Sequence, residues 1–93
     1  MKYRIELSLI AHDDLAKFKK SGDTVILKNI VALLKELEEH PETGTGKPEQ
    51  LKKNLLGCWS RRITDKHRLI YRIEHEQITV VILRFYGHYD DNK

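Results

Sequence analysis

Residues 44–71 read Gly-Thr-Gly-Lys-Pro-Glu-Gln-Leu-Lys-Lys-Asn-Leu-Leu-Gly-Cys-Trp-Ser-Arg-Arg-Ile-Thr-Asp-Lys-His-Arg-Leu-Ile-Tyr. The glycines and prolines of residues 41–50 predict a loop. Alternating side chains after Gly57 predict two strands, over about 58–64 and 67–74. The segment 47–72 is also basic, with eight Lys or Arg and two acidic residues, Glu49 and Asp65. A basic surface with an embedded carboxylate indicates a polyanionic partner and a proton to be moved.

The apolar pattern predicts the register of this pair of strands. A two-residue turn at Asp65-Lys66 would mix polar and apolar side chains on each face, whereas a loop of three or five residues places Ile63 beside Leu69. One face then carries Trp59, Ile63, Leu69, Tyr71 and Ile73, and the other carries Ser60, Arg62, Arg68 and Arg72. We expect helices to pack on the Trp59 face and Arg62 and Arg68 to stand together on the open face.

Two helices are predicted before the loop. Ser8 is a candidate N-cap for the first, which ends at Ser21-Gly22, and Asp23 is the N-cap of a second that runs to Glu39. Asp13 and Asp14 lie early in the first helix, as the helix dipole prefers. The apolar residues of the second helix recur at helical spacing, and we interpret them as core rather than as a zipper.

The remaining segments complete an α+β arrangement. Residues 2–7 alternate as a half-buried strand, and a last strand is expected at about 77–85. The run from Pro48 to Leu55 is compatible with one helical turn. The prediction is two N-terminal helices on one face of a four-stranded, mostly antiparallel sheet, with the first strand beside the last.

Length and composition limit the class of protein. The 93 residues, with a net charge of +3, predict a single domain spanning 1–93. The one cysteine, Cys58, excludes an intramolecular disulfide and a CxxC metal pair, which is typical of a reducing compartment. No signal-peptide pattern and no apolar run of the roughly 20 residues that span a bilayer is present. We therefore expect a cytoplasmic protein without a membrane partner.

The same residues closely resemble a known family. The run from Gly44 to Leu55, then Trp-Ser-Arg-Arg-Ile-Thr-Asp-Lys-His-Arg-Leu-Ile-Tyr, then a near-terminal Gly-His-Tyr, are similar to the YoeB/Txe toxins, RelE-like ribonucleases of type II toxin–antitoxin modules. The match covers about residues 41–71 and 84–89. The resemblance implies ribosome-dependent cleavage of mRNA, without a cofactor. The implied partners are a YefM/Axe-like antitoxin, the ribosome and its rRNA, mRNA, a second copy of the chain, and operator DNA only through the antitoxin complex.

The resemblance also implies roles for individual residues. The catalytic set that it carries over is Glu49, Arg68 and His88, which is followed by the aromatic Tyr89, and Lys52 and Arg62 match basic residues that hold RNA phosphate. Lys47 is a further candidate for contact with the RNA backbone. Cleavage by the RNA's own 2′-hydroxyl needs a base, an acid for the leaving 5′-oxygen and positive charge on the phosphorane. We assign these roles to Glu49, His88 and Arg68 respectively. Tyr89, or Trp59 if exposed, is a candidate for base stacking.

Each of these residues also has a structural interpretation that involves no catalysis or binding. Glu49 is also compatible with a solvated loop charge, and Arg61, Arg62 and Arg68 with an ordinary solvated strand face. His67 is interpreted as structural. The run His88-Tyr89-Asp90-Asp91 could imitate a metal cluster, and Cys58 lacks an activating neighbour that would make it a nucleophile. The functional alternatives are a catalytically inactive RNA- or DNA-binding module that acts as an antitoxin-bound co-repressor, and a metal-dependent nuclease.

Overall fold

A computed structural model describes residues 2–85 of the chain. Its regular elements, in chain order, are β1 (Arg4–Leu7), α1 (Leu9–Ser21), α2 (Thr24–Glu39), β2 (Glu49–Gln50), a 3₁₀ turn (Lys53–Leu55), β3 (Cys58–Arg62), β4 (Arg68–Glu74) and β5 (Thr79–Arg84). None of the helices in this part of the chain is long and apolar enough to cross a membrane.

The strands form one mixed sheet in the order β1-β5-β4-β3-β2. β1 runs parallel to β5, as expected for a first strand beside the last, and the other neighbours are antiparallel. In the part of the chain that the structure describes, the sheet has five strands where the sequence predicted four. The additional strand is the dipeptide Glu49–Gln50. The helical turn predicted within the run from Pro48 to Leu55 is present only as the 3₁₀ turn at Lys53–Leu55, and its predicted start at Pro48 is wrong. Pairing with β3 satisfies backbone groups that a single helical turn would leave largely unbonded.

Both helices begin and end where the capping residues predicted. Ser8 Oγ accepts a hydrogen bond from the Ala11 amide at 3.0 Å, and the Asp23 carboxylate accepts one from Ile26 at 3.1 Å. Gly22 takes the left-handed conformation, with φ 73°, and its amide donates to the Lys19 carbonyl. The short link between α1 and α2 folds the second helix back on the first.

The core lies between the helices and the Trp59 face of the sheet, as predicted. Its buried members include Phe18 of α1, Leu33 and Leu37 of α2, and Leu69 and Tyr71 of β4. Trp59 is half-buried and stacks on Tyr71, with 6.4 Å between ring centroids. Trp59 therefore contributes to the core, and the condition under which it would stack an RNA base, full exposure, is not met.

The hairpin between β3 and β4 has the odd-length loop that the apolar pattern favoured. Arg62 pairs with Arg68, which leaves five residues between them. The predicted neighbour pair of Ile63 and Leu69 is wrong, because Leu69 lies opposite Arg61. The reason is the hydroxyl of Thr64, which accepts hydrogen bonds from the amides of residues 66 and 67 and so places the turn within residues 63–67. The faces still alternate as predicted.

Candidate functional site

Two arginines face each other at the loop end of the β3–β4 hairpin. Arg62 is exposed and Arg68 is partly buried, and residues paired in this way have Cβ atoms about 4.5–5.5 Å apart. Within residues 2–85, neither guanidinium forms an ion pair with a carboxylate. Like charges directly opposite each other repel, so this position favours a bound anion that neutralises both.

Glu49 lies on the same face of the sheet as these arginines. It pairs with Ser60 of β3, which places it diagonally from Arg62 at a Cα separation of about 7–8 Å. Arg68 lies one strand further, so the register brings together three of the predicted site residues. Glu49 is exposed, and its carboxylate is accessible to a ligand that lies across the sheet.

Lys47 and Lys52 flank this carboxylate along the chain. Both are exposed, one just before β2 and the other just after it. Lys52 is placed by its neighbour Leu51, which is buried and donates its amide to the Cys58 carbonyl at 2.9 Å. Lys47 has φ 52°, a left-handed conformation that turns the chain into β2. The structure therefore borders Glu49 with positive charge on both sides.

His88 and Tyr89 lie outside the described residues, as does the run His88-Tyr89-Asp90-Asp91. The structure does show how the chain leaves β5. The Asp14 carboxylate of α1 accepts hydrogen bonds from Arg84 Nε, Arg84 Nη2 and the Phe85 amide, each at 3.1 Å. The end of β5 is thus fixed against the first helix up to residue 85.

Asp14 was interpreted from the sequence as a charge suited to the helix dipole, and this missed its main role. Its side chain is buried, since it occupies the same stripe of α1 as Ala11 and Phe18. The available signal was this spacing: an aspartate three residues after one core position and four before another predicts a buried partner.

Arg61 is the second residue that sequence reasoning misplaced. We grouped it with Arg62 and Arg68 as a solvated strand face, and this is wrong, because Arg61 is fully buried. Strand alternation carries the signal, since Arg61 lies between Trp59 and Ile63 on the core face. An arginine at a core position requires partners for its charge and its five N–H groups.

The partners of Arg61 come from three parts of the molecule. Nη1 donates to Glu36 Oε1 of α2 at 3.0 Å and to the Thr45 carbonyl at 3.3 Å, and Nη2 donates to the carbonyls of His40 and Thr43. Nε donates to the Tyr71 hydroxyl at 3.2 Å. The guanidinium thereby joins the second helix, the sheet and the loop before β2.

Two ionisable neighbours of Arg61 respond to this environment. Hydrogen bonds from Thr45 lower the pKa of Glu36, and the charge of Arg61 adds to the lowering against the opposing effect of desolvation. Burial raises the pKa of Tyr71, and its hydrogen bond with Arg61 opposes that shift. The Tyr71 hydroxyl in turn donates to the Pro41 carbonyl at 2.7 Å.

The two glycines of the loop allow its close approach to β3. A Cβ at Gly46, with φ 83°, would lie 2.9 Å from the Arg62 carbonyl oxygen, and a Cβ at Gly44 would overlap the Glu36 carboxylate and lie 3.1 Å from Arg61 Nη1. The Gly46 carbonyl accepts a hydrogen bond from the Arg62 amide at 2.7 Å. Glycine at these positions therefore fastens the loop that carries Lys47 and Glu49 to the strand that carries Arg62.

Other candidates from the sequence have structural surroundings. His67 packs edge-on against Phe18 with ring centroids 5.4 Å apart, and its Nδ1 lies 2.9 Å from Thr64 Oγ1, which agrees with a structural role. The apolar residues of α2 line the core, as predicted. Cys58 is a half-buried free thiol. Among residues 2–85 there is no group of three or more His, Cys, Asp or Glu side chains placed to hold a metal ion.

Comparison with known proteins gives one consistent family. The family model described as the YoeB-like toxin of bacterial type II toxin–antitoxin systems matches residues 8–89. Toxin YoeB of Synechocystis sp. is 43% identical over 67 residues, which cover 72% of this chain and 78% of that protein.

Solved structures agree with this match. The YoeB dimer from Staphylococcus aureus is 36% identical, with a TM-score of 0.82 over 96% of this chain and all of that one. In the YoeB–YefM complex from the same organism, the matched chain is 34% identical, with a TM-score of 0.81 over 96% of this chain and 100% of that chain. The fold is that of RelE-like toxins.

Proposed function

Because the chain belongs to the family of YoeB-like toxins of bacterial type II toxin–antitoxin systems, we propose that it is a ribosome-dependent endoribonuclease that cleaves mRNA in the ribosomal A site. The observation that carries the proposal is the register of β2, β3 and β4, which gathers Glu49, Arg62 and Arg68 on one face of the sheet. Glu49 lies beside two arginines that have no carboxylate partner among residues 2–85, and this arrangement suits a phosphodiester whose attacking hydroxyl must lose a proton.

The proposed reaction uses the 2′-hydroxyl of the RNA as nucleophile. The Glu49 carboxylate takes the proton of this hydroxyl, and the 2′-oxygen forms a bond to the adjacent phosphorus. The planar guanidinium of Arg68 stabilises the negative charge of the phosphorane, since two of its N–H groups can bond two phosphate oxygens at once. The bond from phosphorus to the 5′-oxygen then breaks, and the products are a 2′,3′-cyclic phosphate, or its hydrolysed 3′-phosphate, and a 5′-hydroxyl.

The remaining roles follow the family resemblance. His88 is proposed as the acid that protonates the leaving 5′-oxygen, and Tyr89 as a residue that contacts a base. Arg62, Lys47 and Lys52 would hold the RNA backbone, and the position of all three around Glu49 supports this assignment. The ribosome would align the 2′-oxygen for attack, a contribution that effective molarities put at about 7–11 kcal/mol at most.

We propose a YefM/Axe-like antitoxin as the partner that restrains the toxin. The S. aureus relative forms a complex with YefM, and another structure of that relative is a dimer. An acidic, partly disordered antitoxin segment that folds on binding would neutralise the Arg62–Arg68 pair. Self-association as a dimer and contact with operator DNA only through the antitoxin complex complete the proposed set of partners.

The test is cleavage of a translated mRNA by the purified protein, mapped by primer extension on programmed ribosomes. Glu49→Ala and Arg68→Ala should each lower the cleavage rate, by about 10²–10⁴-fold for a general base and 10²–10³-fold for a charge clamp. Arg72→Ala is the matched control. Arg72 lies on the same face of β4 as Arg68 but is paired with Glu74 at 2.6 Å, and its loss should leave the rate unchanged.

Two further measurements separate the alternatives. A 2′-deoxy substitution at the cleaved linkage should abolish cleavage, whereas treating the purified protein with a chelator that is removed before the ribosomes are added should not. Loss of activity with the chelator, together with cleavage of the deoxy linkage, would support a metal-dependent nuclease instead. If the Ala variants keep both ribosome binding and growth inhibition, the chain is a binding module without catalysis.

A further inference from the structure

We propose that Arg61 is a positioning residue, whose buried guanidinium holds the loop of residues 40–46 on β3 and so fixes where Glu49 and Lys47 stand relative to Arg62 and Arg68. This inference rests on the proposed nuclease function for its catalytic consequence. The hydrogen bonds by which Arg61 holds this loop, called the clamp, are a property of the fold, and a separate measurement tests them.

Every N–H group of the Arg61 side chain is used in a hydrogen bond. It has five N–H groups, and it makes five hydrogen bonds: two from Nη1, two from Nη2 and one from Nε. Three of the acceptors are backbone carbonyls of residues 40, 43 and 45. These carbonyls belong to a segment without helix or strand, which has no backbone ladder of its own.

The buried guanidinium of Arg61 contributes more to the conformation of the loop than to the stability of the core. A buried charge is costly to desolvate, and well-packed apolar residues often stabilise a core position as well or better. An apolar side chain at position 61 would satisfy the core but would leave the three loop carbonyls without donors. The arginine therefore specifies one conformation of the loop, and only three residues separate the last carbonyl that it binds, that of Thr45, from the start of β2.

Two adjacent residues of β3 point to opposite sides of the sheet. Arg61 points into the core and Arg62 points to the opposite face, where the RNA phosphate would bind. The Arg62 amide also donates to the Gly46 carbonyl. Strand β3 therefore contacts the loop twice, through the buried side chain of Arg61 and through the backbone amide of Arg62. The same strand carries the Arg62 side chain, which is the proposed phosphate contact. Loss of the hydrogen bonds from Arg61 to the loop would shift Glu49 relative to its substrate, and a displacement of about 1 Å can lower the rate by about 10²-fold.

The experiment compares Arg61→Lys and Arg61→Met with Val80→Ala, a change at a buried core residue of β5 whose strand neighbours are Ile5 and Ile73. Hydrogen exchange measured by mass spectrometry should show faster exchange of amides 43–50 in both Arg61 variants and not in Val80→Ala. At a temperature where circular dichroism shows all three folded, both Arg61 variants should lower kcat by about 10–100-fold with KM changed less than threefold. Val80→Ala should keep the wild-type kcat.

The lysine variant distinguishes charge from geometry. Its ammonium keeps the positive charge but has three donors at one point, so it cannot reach acceptors on α2, the loop and Tyr71 together. If Arg61→Lys keeps both the exchange protection and the kcat of the wild type, the planar guanidinium with its five donors is unnecessary and the inference is overturned. An equal loss of kcat in Val80→Ala would also overturn it, since the effect would then reflect stability alone.

A second variant covers the outcome in which both Arg61 variants fail to fold. Gly44→Ala places a methyl group between the loop and the clamp, against Glu36 and Arg61 Nη1, and leaves the core residues intact. It should accelerate exchange of amides 43–50 and lower kcat in the same way, and a folded Gly44→Ala protein with wild-type kcat would refute the inference. If the wild-type protein cleaves no mRNA, the nuclease proposal fails, while the exchange data still decide whether Arg61 holds the loop.

Discussion

Arg62 of β3 lies directly opposite Arg68 of β4, and within residues 2–85 no carboxylate forms an ion pair with either side chain. Two facing cations are unfavourable in the free protein and favourable in a complex with a polyanion. The Arg62–Arg68 pair therefore lowers the stability of the free protein and favours binding of a polyanion. This opposition predicts how substitutions at the exposed member should behave.

Arg62→Gln should raise the thermal midpoint at low ionic strength and weaken binding to ribosome-bound mRNA. The exposed side chain contributes little packing, so removal of the repulsion with Arg68 dominates the stability change. The gain should shrink as salt is added, because salt screens the repulsion in the wild type. Thermal unfolding at several salt concentrations checks this, with Arg4→Gln as a control, because Arg4 is exposed and paired with Glu6 at 3.9 Å. A lower midpoint for Arg62→Gln would contradict the prediction.

Gly46→Ala should destabilise the protein more than Gly57→Ala. Both glycines have positive φ, 83° and 92°, so both substitutions carry a similar backbone strain. Only at Gly46 would the new Cβ meet a backbone atom, the Arg62 carbonyl oxygen at 2.9 Å, whereas nothing lies within 4 Å at Gly57. The difference in unfolding free energy, measured with urea, isolates the close approach of loop and strand. Equal losses would show that the loop moves away freely.

The secondary-structure elements were predicted from local chemistry, whereas the buried charges of Asp14 and Arg61 were missed. Ser8, Gly22 and Asp23 delimit the helices through their own hydrogen bonds and backbone preference, so a single sequence reveals them. The hairpin register depended on the hydroxyl of Thr64, which bonds two amides of its own turn and shifted the pairing from the one that apolar matching favoured.

The site residues likewise divide into those whose position the sequence pattern predicted and those whose position it did not. Alternation placed Arg62 and Arg68 on one face correctly, but the position of Glu49 depends on a two-residue strand too short to give a periodic signal. Arg61 was misplaced because three of its five acceptors are carbonyls of a loop, and backbone carbonyls are the same in every sequence. A charged residue on a predicted core face is the pattern that would have revealed it.

The protein should lose stability in acid through Glu36 in particular. The pKa of Glu36 is lowered by its hydrogen bonds with Thr45 and by Arg61, so it binds protons less readily when folded than when unfolded. Its contribution is therefore present above the unfolded value, about 4.5, and is lost as the pH falls through the lower folded value. Urea unfolding from pH 7 to pH 3 should show a shallower loss in Glu36→Gln than in wild type. Glu39→Gln, on the exposed side of the same helix, should keep the wild-type slope.

The ion pair that ends β5 provides a prediction with a closely matched control. Asp14 and Asp13 are neighbours in α1, but Asp14 is buried and accepts three hydrogen bonds from Arg84 and Phe85, whereas Asp13 is exposed. Asp14→Asn keeps the size of the side chain, removes its charge and places an amide donor where one of two acceptor oxygens stood. It should reduce the unfolding free energy by about 1.5–3 kcal/mol, the range for hydrogen bonds to charged groups.

Asp13→Asn should leave the unfolding free energy within about 0.5 kcal/mol of wild type, as surface substitutions usually do. Hydrogen exchange should locate the effect of Asp14→Asn at the Phe85 amide, whose only described acceptor is the Asp14 carboxylate. If both variants lose equal stability, the helix dipole rather than the Arg84 pair explains the acidic residues of α1. If only Asp14→Asn unfolds more easily while the Phe85 amide stays protected, the carboxylate stabilises the helix without holding the end of β5.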